Sequence, residues 1–149
     1  MKSPRILIGS FILFSMIFLI SCGDNGGEGN LSGESSSVSS SSPSGVITKV
    51  VKNVADGDYE SAIDLYAKKN GESLTKEDKA KMMAFLPSAK DNFEKKGGLK
   101  EVKIIEENIA EDGNSAIVKY KMIYADGKQG KTEKVKFIKV NSDWKVRIN

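Results

Sequence analysis
The chain has 149 residues, 29% of them charged, a net charge of +3, a single cysteine and no histidine. One cysteine excludes an internal disulfide, and the missing histidine excludes Ser-His-Asp and Cys-His nucleophile arrangements, imidazole metal ligation and the commonest general base. Any chemistry rests on carboxylates, lysines or tyrosines, and the length allows one domain of ordinary size.

The N-terminus opens with Lys2 and Arg5, followed by the uncharged run "ILIGSFILFSMIFLIS" over 6–21. A membrane-spanning helix needs about 20 predominantly apolar residues, so this run is short for a permanent span and reads as a cleaved export signal. The run ends in "LISC", Leu19 to Cys22, which resembles the lipobox of bacterial lipoproteins. The resemblance implies cleavage before Cys22, lipid on its sulfur and acylation of the new amino group. Two acyl chains suffice for stable anchoring without a transmembrane helix. The expected address is therefore the bacterial cell envelope, with the domain outside the cytoplasm. Gly23 after the cysteine favours the outer membrane, by resemblance to enterobacterial sorting. The competing reading is a membrane-buried cysteine in an uncleaved anchor.

Residues 22–45 continue as "CGDNGGEGNLSGESSSVSSSSPSG", too poor in apolar residues to repay the entropy of ordering. They read as a flexible Ser/Gly-rich tether with a root-mean-square reach of roughly 25 Å and an extended limit of about 80 Å.

The remaining chain, 46–149, reads as a single domain with helices first. Ile47, Val50, Val51 and Val54 recur at helical spacing, with Pro43 and Ser44 suited to a helix start and Asp56-Gly57 to its end. Asp58 is a candidate N-cap for "YESAIDLYAKK", in which Tyr59, Ala62, Ile63 and Tyr66 share a face. Thr75 and Asp78 form a capping-box variant ahead of a helix whose buried stripe is Met82, Phe85, Leu86, Ala89 and Phe93. Pro87 is expected to kink or divide that helix, and Gly97-Gly98 to stop it.

After Leu99 the period changes from 3.6 to 2. "EVKIIEENI", "SAIVKYKMIYA", "KTEKVKFIKV" and "WKVRI" read as four strands of an antiparallel meander, joined by Gly, Asn and Asp turns. In the second strand Ala116, Val118, Tyr120, Met122 and Tyr124 share one face. The third changes face between Phe137 and Ile138, which predicts a bulge there. Helices followed by strands imply an α+β domain with helices covering one face of a curved four-stranded sheet.

"GDYESAIDLY", "GGLKEVKI", "SAIVKYKMIYADGK" and "FIKVNSDWKV" are similar to segments of an uncharacterised family of bacterial lipoprotein domains with the nuclear transport factor 2-like fold. The resemblance covers about 46–149. It implies a cone with an apolar hollow between helices and sheet, and brings no catalytic residue.

Candidate sites follow from these faces. Tyr59, Tyr66, Met82, Phe93, Tyr120, Met122 and Trp144 are candidate lining for a pocket taking a small apolar or amphipathic ligand, against the plainer reading of a closed core. Lys119, Lys121, Lys134, Lys136, Lys145 and Arg147 form a basic sheet face, either solvated or attracted to an anionic partner. Nucleic acid is not expected, because no aromatics interleave with these lysines. Among the carboxylates, Glu106 is the best-placed candidate acid, provided it shares the face of Val102 and Ile104. "GKQGKT" (127–132) echoes a phosphate-binding loop, but "EKVKF" alternates as a strand where a helix should begin. No metal site, cofactor or catalytic constellation is expected. The sequence thus points to a non-enzymatic envelope lipoprotein that binds a small apolar ligand or a protein. The alternatives are a carboxylate enzyme in the cone or an envelope assembly component acting through the basic face. Oligomeric state is left open.

Overall fold
The computed structural model describes residues 41–148. Helix α1, Pro43–Asp56, starts where Ser42 as N-cap accepts a hydrogen bond from the Gly45 N–H at 3.0 Å and Pro43 supplies a preset φ. It ends at Gly57, where the Asp58 N–H reaches the Asn53 carbonyl and the Gly57 N–H reaches that of Val54. This Schellman closure needs the left-handed φ of +86° that glycine adopts without a Cβ penalty. The α1 face of Val46, Ile47, Val50, Val51 and Val54 is buried and forms the centre of the core.

Helix α2, Tyr59–Ile63, is capped by Asp58, which accepts from the Ser61 N–H at 3.2 Å. It is shorter than the periodicity suggests. Tyr66–Ala67 leave the helix to form β1, a two-residue strand parallel to the C-terminal one, with the Val146 and Ile148 N–H groups donating to the Leu65 and Ala67 carbonyls. Pairing with a ready sheet edge overrides the helical spacing. The sheet therefore has five strands, not four.

Helix α3, Lys76–Glu94, begins with a complete Thr75/Asp78 capping box and runs unbroken through Pro87. The carbonyl that the proline leaves unpaired belongs to Met83, an exposed residue. Of the expected stripe, Leu86 and Phe93 are buried and Met82 and Ala89 half-buried, but Phe85 is 71% exposed. The reason is that α3 rests mainly on α1 and α2 and meets the sheet where Phe93 reaches Tyr124.

Strands β2 (Leu99–Ile109), β3 (Ser115–Tyr124), β4 (Glu133–Val140) and β5 (Asp143–Arg147) form an antiparallel meander, in the sheet order β1-β5-β4-β3-β2. The β4–β5 turn holds Asn141 and Ser142 at φ of 49° and 75°, the pattern of a two-residue type I′ hairpin. The bulge expected at Phe137/Ile138 is not there. Strand β4 pairs without a register shift, and its outward Ile138 and Val140 are apolar because the loop after β1 brings Gly71 against them. The irregularities lie in β2, between Leu99 and Glu101 and between Ile104 and Glu106. Among the described residues the buried core runs from Val46 to Val146. Among the described residues no helix is long and apolar enough to cross a membrane.

Candidate functional site
Because α3 stands off the sheet, a cavity of about 870 Å³ opens between α1, α3 and the inner face of β3, β4 and β5. Its floor is the α1 stripe of Ile47, Val50, Val51 and Val54. Its walls include Leu86 and Ala89 from α3 and Met122, Val135 and Val146 from the sheet. The volume lies within the range of small-molecule sites, roughly 300–1,000 Å³.

Polar groups interrupt the apolar walls, with Asn92 and Lys96 on the α3 side and Glu133, Lys134, Lys136 and Arg147 on the β4–β5 side. Tyr66 and Tyr120 line the cavity, and no other described residue hydrogen-bonds to either hydroxyl. Burial raises both phenol pKa values, that of Tyr120 to about 12, with the facing Glu133 adding to the effect. Both rings are therefore neutral donors at physiological pH. Glu133 sits across the β3–β4 ladder from Tyr120 and is exposed, so it marks the rim. At another margin the Lys96 ammonium lies 4.0 Å from the Tyr124 ring centroid, and Phe93 and Tyr124 rings meet at 6.3 Å.

Of the pocket residues proposed from sequence, Tyr66, Phe93, Tyr120 and Met122 line this cavity. Tyr59 and Met82 pack half-buried against the core elsewhere, and Trp144 is buried beneath Lys139, whose ammonium lies 5.2 Å from the indole centroid. Sequence reasoning missed Phe85, Asn92, Lys96, Tyr124 and Glu133 as lining. The spacing 85, 89, 92 on α3, continued to 96 in the turn after it, would have found three of them, and Tyr124 follows Tyr120 and Met122 by strand alternation.

The acids are disposed otherwise. The β2 bulge turns Glu106 to the outer face, away from Val102 and Ile104, where Lys119 at 2.5 Å and Asn108 at 2.6 Å hold its carboxyl below the usual range. Glu107 takes the inward place instead, and accepts from both the N–H (2.7 Å) and the hydroxyl of Ser44 at the start of α1. Asp58, Asp78 and Asp126 are lowered by the hydrogen bonds of Ser61, Thr75 and Lys128, respectively, as caps and turns require. Glu133 is the carboxylate at the cavity.

The basic residues proposed from sequence alternate along β3, β4 and β5 with the outward positions, but Lys134, Lys136 and Arg147 also stand at the cavity, where the Arg147 Nε is buried without a hydrogen-bond partner among the described residues. Lys119 is paired with Glu106, and the Lys145 ammonium donates to the Asp64 carbonyl at 2.9 Å. "GKQGKT" closes the β3–β4 hairpin, with the Gly130 N–H donating to the Met122 carbonyl at 2.8 Å and β4 following directly. Cys22 and residues 23–40 of the stretch expected as a tether lie outside the described residues, and its last residues, from Pro43 to Gly45, form the buried first turn of α1.

Helices on one face of a twisted sheet, enclosing an apolar hollow, place the domain in the NTF2-like α+β class. The comparisons agree with that class. A solved structure from Campylobacter jejuni, provisionally described as an NTF2-like transpeptidase, matches with a TM-score of 0.60 at 18% identity, covering 72% of this chain and 98% of that one. A SEC-C motif containing protein from Rhodopseudomonas palustris matches at 15% identity and TM-score 0.47, covering 74% and 78%. The Aln2 protein of a Streptomyces species matches at 12% identity and TM-score 0.39, covering 71% and 88%. The fold statement rests on the first. No curated protein matches the chain. The chain belongs to the family described as "Domain of unknown function (DUF4878)", which it matches over residues 35–147.

Proposed function
We propose that this is a membrane-tethered, non-enzymatic binding protein whose cavity takes a small apolar or amphipathic molecule. The observation that carries the reading is the cavity itself, about 870 Å³ with an apolar floor from α1, a charged edge and two neutral phenols inside, as suits an amphipathic molecule. Such a site suits a hydrocarbon body with a hydrogen-bond acceptor directed at Tyr66 or Tyr120. Four carboxylates of the domain, Asp58, Asp78, Glu106 and Asp126, are held below their usual range, the opposite of what a proton donor at neutral pH requires. The tether and the lipid on Cys22 would keep the cavity near a bilayer, a source of such molecules. Organic extraction of the protein purified from a bacterial host, followed by mass spectrometry, is expected to yield a bound small molecule in proportion to protein. An empty extract from protein that also fails to take up added fatty acid would contradict the reading. Lipid labelling that persists in Cys22→Ala would contradict the anchor.

A further inference from the structure
We propose that the outer face of the sheet is a docking surface for an anionic phospholipid bilayer, an inference argued from the strand ladder and not from the cavity, although Lys134, Lys136 and Arg147 also stand at the cavity's edge. The ladder places Lys103 directly opposite Lys121 and Lys119 directly opposite Lys134. Like charges facing each other across strands work against the sheet that holds them. Glu106 pairs with Lys119 and also acts on Lys134, and Glu101 stands opposite Ile123 on the same face, whereas Lys103 and Lys121 have no ion pair among the described residues. Lys136 and Arg147 extend the same face toward β5. An arrangement that costs the fold stability, repeated along one face, is accounted for by a partner that supplies the missing negative charge.

The chemistry of the face selects the partner. Half-buried Ile117, Ile123 and Ile138 sit between the basic residues, so long side chains carry their charges outward over an apolar base, as at a lipid headgroup layer. Among the described residues no aromatic ring stands on this face to stack with the bases of a single strand. A sheet face without a projecting helix or ribbon does not enter the major groove of a duplex. A tether of roughly 25 Å reach would keep the face within range of the bilayer that holds the anchor.

The test uses residues 35–149, which span the family match and the core among the described residues, and so removes the anchor from the measurement. Sedimentation with vesicles of phosphatidylcholine containing phosphatidylglycerol is compared with phosphatidylcholine alone, at low salt and at about 0.5 M salt, where exposed charges are screened within a few ångströms. Binding is expected only to the anionic vesicles at low salt. Each basic residue near such a surface contributes about fivefold in partitioning, so the quadruple variant K103Q/K121Q/K134Q/K136Q should bind at least about a hundredfold more weakly. Its melting temperature should equal or exceed that of the parent, because the facing charges are gone, and the corresponding quadruple arginine variant should retain binding. Equal binding to neutral vesicles, unchanged binding by the glutamine variant, or binding to soluble polyglutamate but not to vesicles would each overturn the proposal. A lower melting temperature for the glutamine variant would overturn its premise.

Discussion
Tyr120 combines two constraints in one side chain: its ring belongs to the buried core and its hydroxyl belongs to the cavity. Burial holds its pKa up at about 12 against an ordinary 10.0, and Tyr66 is raised in the same direction. A group whose folded pKa lies above its unfolded one contributes stability that is complete below the unfolded value and lost as pH rises through the folded one. The domain is therefore expected to lose stability between pH about 10 and about 12, by on the order of 2–3 kcal/mol for Tyr120 alone. Tyr120→Phe should flatten that decline in urea melts across the interval; an unchanged alkaline profile would contradict the assignment. Glu107 tests a different contact. It accepts two hydrogen bonds from Ser44 at the α1 N-terminus, so Glu107→Ala should cost about 1–2 kcal/mol in urea unfolding, whereas exposed Glu106→Ala should cost about 0.5 kcal/mol or less. At this scale the sequence was partly legible. Alternation located Tyr120 and Met122 on the inner face, but a single inserted residue in β2 exchanged Glu106 for Glu107 there, and nothing in "KIIEEN" marks which residue is extra.

Among the elements, α3 creates the site by what it leaves unburied. Its capping box and its Gly97 stop were readable from Thr75, Asp78 and the double glycine, because those signals are local. Its tilt was not, because tilt depends on α1 and α2 beneath it; hence Phe85 appears on the expected stripe and stands at the cavity margin 71% exposed. Phe85→Ala should consequently change stability by about 0.5 kcal/mol or less, while weakening uptake of an apolar ligand several-fold in a fluorescence titration. A large loss of stability with intact binding would place Phe85 in the core instead. Strand β1 was hidden for a related reason: Tyr66 fits the helical period of Tyr59, Ala62 and Ile63, and only β5 decides the matter. The β4–β5 hairpin offers a test of local strain. Ser142 holds a φ of 75° that glycine adopts freely, so Ser142→Gly should raise stability by about 0.5–1 kcal/mol in chemical melts. A destabilised variant would show that the serine side chain makes up for its backbone.

For the whole molecule, helices-then-strands order and the change of period at Leu99 were enough to expect an α+β domain with one face covered, and the fold meets that expectation with a fifth, parallel strand added. The hollow follows from proportion. Strands β3, β4 and β5 present an inner face wider than α1 alone can cover, and α3 closes over it without filling it. Val46, Ala62 and Val118 are buried in the closed core away from the cavity, while Ile47, Val50, Val51 and Val54 serve both core and cavity floor, facing Tyr66, Tyr120 and Met122 across open space. A linear sequence records which residues face inward but not how far apart two inward faces stand, so core and cavity lining look alike until the helices are in place. The most direct measurement of binding in that cavity is titration of the domain with a fluorescent fatty-acid probe, comparing the parent with Ala89→Trp, which places an indole into the cavity from α3. Saturable binding by the parent, with at least about a tenfold loss in a variant that retains its cooperative melt, is the predicted result. Equal binding by both proteins, or no saturable binding by the folded parent, would contradict it.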